Sequence, residues 1–204
     1  MPTPFYDDLN ATLDAAWRLL QQGVPDIRVP AHVPTLATVG LDGKPKLRSI
    51  ILRALDIKQR ILTLHTDSRS SKLEEIRQNP AVSLHVYDAA QKIQLQLSGH
   101  ASLHLDDAQA DAGWRASRML SRRTYLVHPG PGKPLDEPGN GLPQALAFRA
   151  PSSTESEQGR VHFALLQVQI ETLDWLYLAH YSQRRAQFHW TPEGKLQSDR
   201  KSVV

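Results

Sequence analysis

IQLQLSGHASLHL, residues Ile93 to Leu105, alternates apolar and polar side chains for its whole length. Ile93, Leu95, Leu97, Ala101, Leu103 and Leu105 share one parity, and Gln94, Gln96, Ser98, His100, Ser102 and His104 the other. Successive side chains of a strand point to opposite faces, so this stretch predicts a long strand with one face in a core and one face polar. Working outward, Thr35 to Val39, Leu47 to Ala54 and Ile61 to Thr66 read as further strands, and Asp42-Gly43 is a strong hairpin signal between the first two. Beyond the long strand the pattern returns from Val161 through Trp175 to Leu178, and again from Ala186 to Trp190. Many antiparallel strands with few helices predict a mostly β fold, a small closed barrel rather than a parallel sheet with helical crossovers.

Helices flank these strands. Leu9, Leu13, Ala16, Trp17 and Leu20 recur at helical spacing behind Asp7 and Asp8, which suit a helix start; the helix is expected to end near Gly23. A helical patch from Asp106 to about Tyr125 leads into residues 129–151, which hold six prolines and four glycines and read as a loop, either a lid or a disordered segment. At 204 residues the chain is expected to be one domain spanning 1–204.

The stretch from Arg48 to Gly99 reads as a site. Arg48 and Arg53 bracket the apolar run of RSIILR, and the next strand ends at His65 and Thr66 just before a serine-rich turn that carries Ser70, Ser71 and Lys72 into a helix. A helix start offers free backbone N–H groups and partial positive charge, so hydroxyls and a lysine beside it suit a phosphate. Ser71 and Glu74 have capping-box spacing, and Asn79-Pro80 should stop the helix.

Composition narrows the function. With no cysteine there is no disulfide, thiolate nucleophile or Cys-ligated metal, while flavin chemistry stays open. His100 and His104 share a strand face without a third ligand nearby, so no metal site is predicted. The net charge is only +3, and six basic residues between Arg48 and Lys72 come without any interleaved aromatic. A single phosphate therefore explains them better than nucleic acid does. No signature of a dinucleotide fold, a P-loop or a hydrolase nucleophile occurs. No apolar stretch approaches the roughly 20 residues of a membrane span, and no basic-then-apolar leader opens the chain, so a cytoplasmic location is expected.

The order of these pieces resembles the pyridoxamine 5'-phosphate oxidase family, whose fold is an antiparallel FMN-binding split β-barrel. Its R-x-V-L-L-K strand is matched by Arg48, Ser49, Ile50, Ile51, Leu52 and Arg53; its Tyr-Thr by His65 and Thr66; its Ser-Arg-Lys by Ser70, Ser71 and Lys72. A Gln five residues before a Gly is matched by Gln94 and Gly99, and a Trp ten residues before an Arg by Trp175 and Arg185. The resemblance implies FMN as cofactor, hydride transfer to flavin N5, and a homodimer with FMN at the interface. One chain would contribute Arg48 to Arg53, His65, Thr66 and Ser70 to Lys72, and the partner chain Gln94, Trp175 and Arg185. It implies a substrate contact at Arg53 and at Arg118, the latter through a Tyr-x-x-x-Arg pattern that here becomes Trp114 and Arg118. The oxidases also place an Arg-x-His pair just before the C-terminal flavin Arg, and this chain has Tyr181, Ser182 and Gln183 there. That departure implies a substrate other than pyridoxamine phosphate. Two other classes stay open: a flavin-binding store or sensor without turnover, and a basic β-barrel that binds nucleic acid.

Overall fold

A computed structural model describes residues 4–135, 137–181 and 183–203. Nine antiparallel strands make one sheet: β1 (Thr35–Val39), β2 (Pro45–Ser49), β3 (Leu52–Asp56), β4 (Ile61–Asp67), β5 (Ala81–Asp88), β6 (Ile93–His104), β7 (Phe163–Tyr177), β8 (Arg184–Trp190) and β9 (Leu196–Lys201). Among the described residues five α-helices flank them: α1 (Leu9–Gly23), α2 (Ser71–Gln78), α3 (Ala108–Ala116), α4 (Met119–Arg122) and α5 (Ser153–Glu157).

The hydrogen-bonded order is β2-β1-β5-β6-β7-β4-β3, with β8 and β9 branching from β7. The branch arises because β7 is longer than any partner on that edge. Its first half pairs with β4, from Asp67 opposite Phe163 to Ile61 opposite Gln169, and its second half with β8, from Thr172 opposite His189 to Tyr177 opposite Arg184. β6 runs along the other edge throughout. This division makes the barrel a split one. Its register shifts between Ser98 and Gly99, where a Cβ on residue 99 would overlap the Gln169 carbonyl, so glycine is required there.

Alternation in β6 is as expected: Ile93, Leu95, Leu97 and Ala101 are buried, with Leu36, Leu62, Leu84, Val168 and Leu173 from neighbouring strands in the same core. α1 covers this core with Ala16, Trp17, Leu19 and Leu20, and Trp17 meets Trp190 at 5.9 Å between centroids. Asp8 caps α1, accepting from the Ala11 N–H at 2.8 Å, whereas Asp7 turns to Arg184. A second small core of Ala110, Trp114, Tyr125, Phe163 and Leu165 joins α3 to the start of β7.

Three expectations are corrected. The strand foreseen from Leu47 to Ala54 is two strands, because the chain leaves β1 and crosses to β4 at Ile50 and Ile51; that covalent link, not a closed ladder, joins the two ends of the sheet path. The helical patch is broken at Ser117 and Arg118 into α3, α4 and a 3-10 turn. The capping box of Ser71 with Glu74 does not form: Ser70 is the N-cap of α2. β5 and β9 were not foreseen. Among the described residues no helix is long and apolar enough to cross a membrane.

Candidate functional site

The break between β2 and β3, the end of β4 and the start of α2 converge on one cavity of about 410 Å³. Of the residues singled out in the sequence, Ser49, Ile50, Ile51, Arg53, His65, Thr66, Ser70 and Lys72 all line it. The β2–β3 crossing brings 49–51 to the cavity wall, and the start of α2 brings Ser70 and Lys72 to it.

Lys72 lines this cavity at the start of α2. Its Nζ donates to Thr66 Oγ1 at 2.9 Å and to Ser70 Oγ at 2.6 Å, and among the described residues no carboxylate bonds it. Burial, with the nearby Arg48 charge, holds its pKa below the ordinary lysine value. An ammonium held only by hydroxyls at a helix start is a receptor for an anion. Arg53 adds a second cation. Its Nε is buried without a partner among the described residues, and burial lowers its pKa, with the Tyr125 hydroxyl acting against this and the Arg118 charge adding to it.

Arg48, which the resemblance implies as a cofactor contact, pairs within the fold. Its guanidinium bonds Glu75 at 2.6 Å and also Thr38 and the Lys46 carbonyl, and it lies off the cavity wall. Burial pushes the Glu75 carboxyl up, but the bonds from Thr38 and Arg48, with Ser71 assisting, hold it below the usual carboxylate range. Ser71 thus faces this pair rather than the cavity. Arg69 is likewise neutralised, bidentate on Asp67 at 2.9 and 2.6 Å, and its third bond to the Val127 carbonyl ties the turn to the start of the proline-rich segment.

Gln94, Trp175 and Arg185 line neither this cavity nor its neighbour. Gln94, Leu176 and Arg185 are register partners across β6, β7 and β8 and share the half-buried outer face. Trp175 belongs to the opposite face, between Leu95 and Ala186, and is fully buried beneath Phe5 at 6.1 Å. Strand alternation thus puts Trp175, which the resemblance implies as a flavin contact, in the core of this chain. Arg185 pairs with Asp174 at 2.7 Å and lines a separate basic concavity with Arg184, Arg200 and Lys201.

A larger cavity of about 700 Å³ adjoins the first and shares Ile51, Arg53, His65 and Ser121 with it. Arg53 and Arg118, singled out together, both line it. Trp114 does not; it belongs to the second core, and its indole N–H donates to Glu157 at the edge of that core. Arg122 is also internal, bonded to Glu157 at 2.9 Å and to the Trp114 carbonyl at 2.8 Å. Sequence reading missed Asp67, Ser121, Thr124, Tyr125 and Pro131 on the smaller cavity. Only Tyr125, an aromatic closing a helical patch, carried any local signal.

Fold and site together define a split-barrel protein with a cavity lined by Lys72, hydroxyls and a helix start beside a second, cation-lined cavity. The family model described as pyridoxamine 5'-phosphate oxidase matches residues 28–149, more than half of the chain, and the chain belongs to that family. It is 28% identical over 178 residues to pyridoxine/pyridoxamine 5'-phosphate oxidase 2 of Arabidopsis thaliana, covering 80% of this chain and 84% of that protein. It is 39% identical over 101 residues to pyridoxine/pyridoxamine 5'-phosphate oxidase of Teredinibacter turnerae, covering 50% of this chain and 43% of that one. Among solved structures, a pyridoxamine 5'-phosphate oxidase-related, FMN binding protein of Nostoc punctiforme superposes with TM-score 0.73 at 24% identity, covering 93% of this chain and 96% of its own. PhzG of Burkholderia lata superposes with TM-score 0.71 at 19% identity over 100% and 98% of the two chains.

Proposed function

We infer that this protein is an FMN-dependent oxidoreductase acting as a homodimer on an anionic substrate other than pyridoxamine phosphate. The observation that carries the reading is the smaller cavity, where Lys72, satisfied only by Thr66 and Ser70, stands at the start of α2 beside the β2–β3 crossing. The donor set fits a phosphate ester: an ammonium, two hydroxyls, and the α2 N-terminus. Ser49, Ile50 and Ile51 offer backbone and apolar surface to the rest of the cofactor.

When bound, FMN would supply the two-electron chemistry, taking a hydride at N5 and returning electrons to oxygen or another acceptor. The protein's part is to hold and orient. Lys72 binds the phosphate; Arg53, shared by both cavities, draws the acid group of a substrate into the larger one with Arg118. Gln94 and Arg185 lie on a sheet face away from the chain's own cavity, which supports their use by a partner chain. Tyr181 and Gln183, on the basic concavity beside Arg185, stand where the oxidases carry Arg and His, and this supports a different substrate.

The test is the absorbance spectrum of the purified protein, with the ligand released by heat and identified by mass, followed by anaerobic addition of candidate acids. FMN and substrate-dependent bleaching are expected. A colourless protein that takes up no added FMN would overturn the reading, and FMN that no acid bleaches would leave a store or sensor.

A further inference from the structure

His65 lies on β4 between the two cavities, and its ring has two distinct edges. The apolar side packs on Phe163, ring centroids 4.8 Å apart at 75°. The polar side meets Ser117. Because Ser117 Oγ donates its own proton to the Gly113 carbonyl at 2.9 Å, it meets His65 Nδ1, 3.4 Å away, as an acceptor. This contact assigns the ring proton to Nδ1, and in that tautomer Nε2 keeps the lone pair. Among the described residues nothing donates to Nε2.

That lone pair belongs to the larger cavity. Gly113 and Ser117, which flank the two nitrogens, line the larger cavity and not the smaller one. Gly113 keeps the approach open: a Cβ there would stand 3.5 Å from Nε2 and 2.7 Å from Leu165 Cδ1. The ionisable groups on the cavity wall besides His65 are His32, Arg53 and Arg118, and no described carboxylate is among them. Burial and the Arg53 charge keep the imidazole neutral to about pH 4. The choice of residue has a chemical reason. A carboxylate at this position would pair with Arg53 and cancel the charge that attracts an acid, whereas a neutral imidazole offers an acceptor and leaves that charge free.

We propose that His65 is a specificity-determining residue, accepting through Nε2 a hydrogen bond from an O–H or N–H group of an acid whose carboxylate or phosphate is held by Arg53 and Arg118. The apolar wall of Ile51, Ala54, Ala112, Ala116 and Leu165 suits a carbon ring between those two ends. The proposal rests on the reading of the larger cavity as the substrate cavity. It adds which substrates are chosen: those with a donor, over otherwise identical acids without one.

The experiment is calorimetric titration of the FMN-loaded protein with benzoate, its ortho-, meta- and para-hydroxy forms, and the phenyl phosphates with the same substitutions. At least one hydroxylated acid should bind about tenfold tighter than its parent, in the range of a hydrogen bond left unmade in a buried site. Taken as the ratio of hydroxylated to parent acid within each variant, that preference should fall below about twofold in His65→Phe and be partly kept in His65→Asn. Arg53→Ala should weaken every acid that binds, and whichever of the two series responds identifies the acid group. A hydroxyl preference that survives in His65→Phe, or its absence in the unmodified protein while Arg53-dependent binding persists, overturns the assignment of His65 and leaves the substrate cavity standing. If no acid binds in an Arg53-dependent way, the cavity reading itself fails and the proposal with it.

Discussion

The Arg48 guanidinium and the Glu75 carboxylate meet at 2.6 Å, one turn of α2 along from Lys72, with side-chain exposures of 21% and 6%. Two residues that look alike in sequence, Arg48 and Lys72, thus do different work: one neutralises a buried carboxylate and the other faces the cavity. Removing Arg48 leaves Glu75 charged, buried and without its partner. Arg48→Ala is expected to lower stability by about 3 kcal/mol, and adding Glu75→Gln should restore much of it. Urea denaturation of the cofactor-free protein measures both; an unchanged midpoint in Arg48→Ala would contradict the pairing.

Lys72→Ala should behave in the opposite way. It removes a charge-assisted phosphate contact, so FMN affinity is expected to fall at least tenfold, about 1.4 kcal/mol. Stability without cofactor should hold or rise, because a half-buried ammonium served only by hydroxyls is lost. A flavin titration identical to that of the unmodified protein would remove Lys72 from the site.

His65 sets a stability dependence on pH. Its ordinary value is 6.5 and burial, followed by Arg53, lowers the folded value to about 4. Between these limits the unfolded chain binds the proton and the folded chain does not, so stability falls as pH is lowered from 6.5 toward 4 and levels off below. His65→Phe should flatten that window in a urea series. An imidazole resonance for His65 that titrates near 6.5 would be inconsistent with this environment.

Complementation tests the shared site. Lys72→Ala and Arg185→Ala chains, each poor in FMN, should form mixed dimers with one intact site and one doubly altered site. The expected result is recovery of about one FMN per mixed dimer. Mixtures that bind no more than either parent would mean that Arg185 serves its own chain.

Trp175 is a core residue by strand alternation, and its substitution should read as such. Trp175→Ala is expected to cost about 3–5 kcal/mol in stability, and its emission in the folded protein should be that of an enclosed indole. A substitution that spares stability and abolishes flavin binding would return Trp175 to the cofactor.

Much of this was legible in the chain itself. The alternation of Ile93 to Leu105 announced β6 because period two survives any tertiary arrangement in which one face is buried. The pieces of the cavity, from Ser49 to Lys72, were legible because they are local: strand ends and a helix start close together in sequence. The fate of Arg48 was not, since it depends on Thr38 and Glu75, which come from β1 and α2. The face of Trp175 was not either, since its spacing to Arg185 crosses a turn that resets the parity between β7 and β8. β9, exposed along its length, carries no apolar alternation at all.

β7 is also a ruler. From Leu165, on the wall of the larger cavity, to Leu176, between Gln94 and Arg185, the strand spans about 35 Å at a rise of about 3.3 Å per residue. One unbroken span therefore fixes how far apart the chain keeps the pocket it owns and the face it is inferred to lend. Deleting a single residue between them, other than Glu171 at the register shift, would do more than shorten it: every side chain beyond the cut would exchange faces, turning Trp175 out to water and Leu176 into the core.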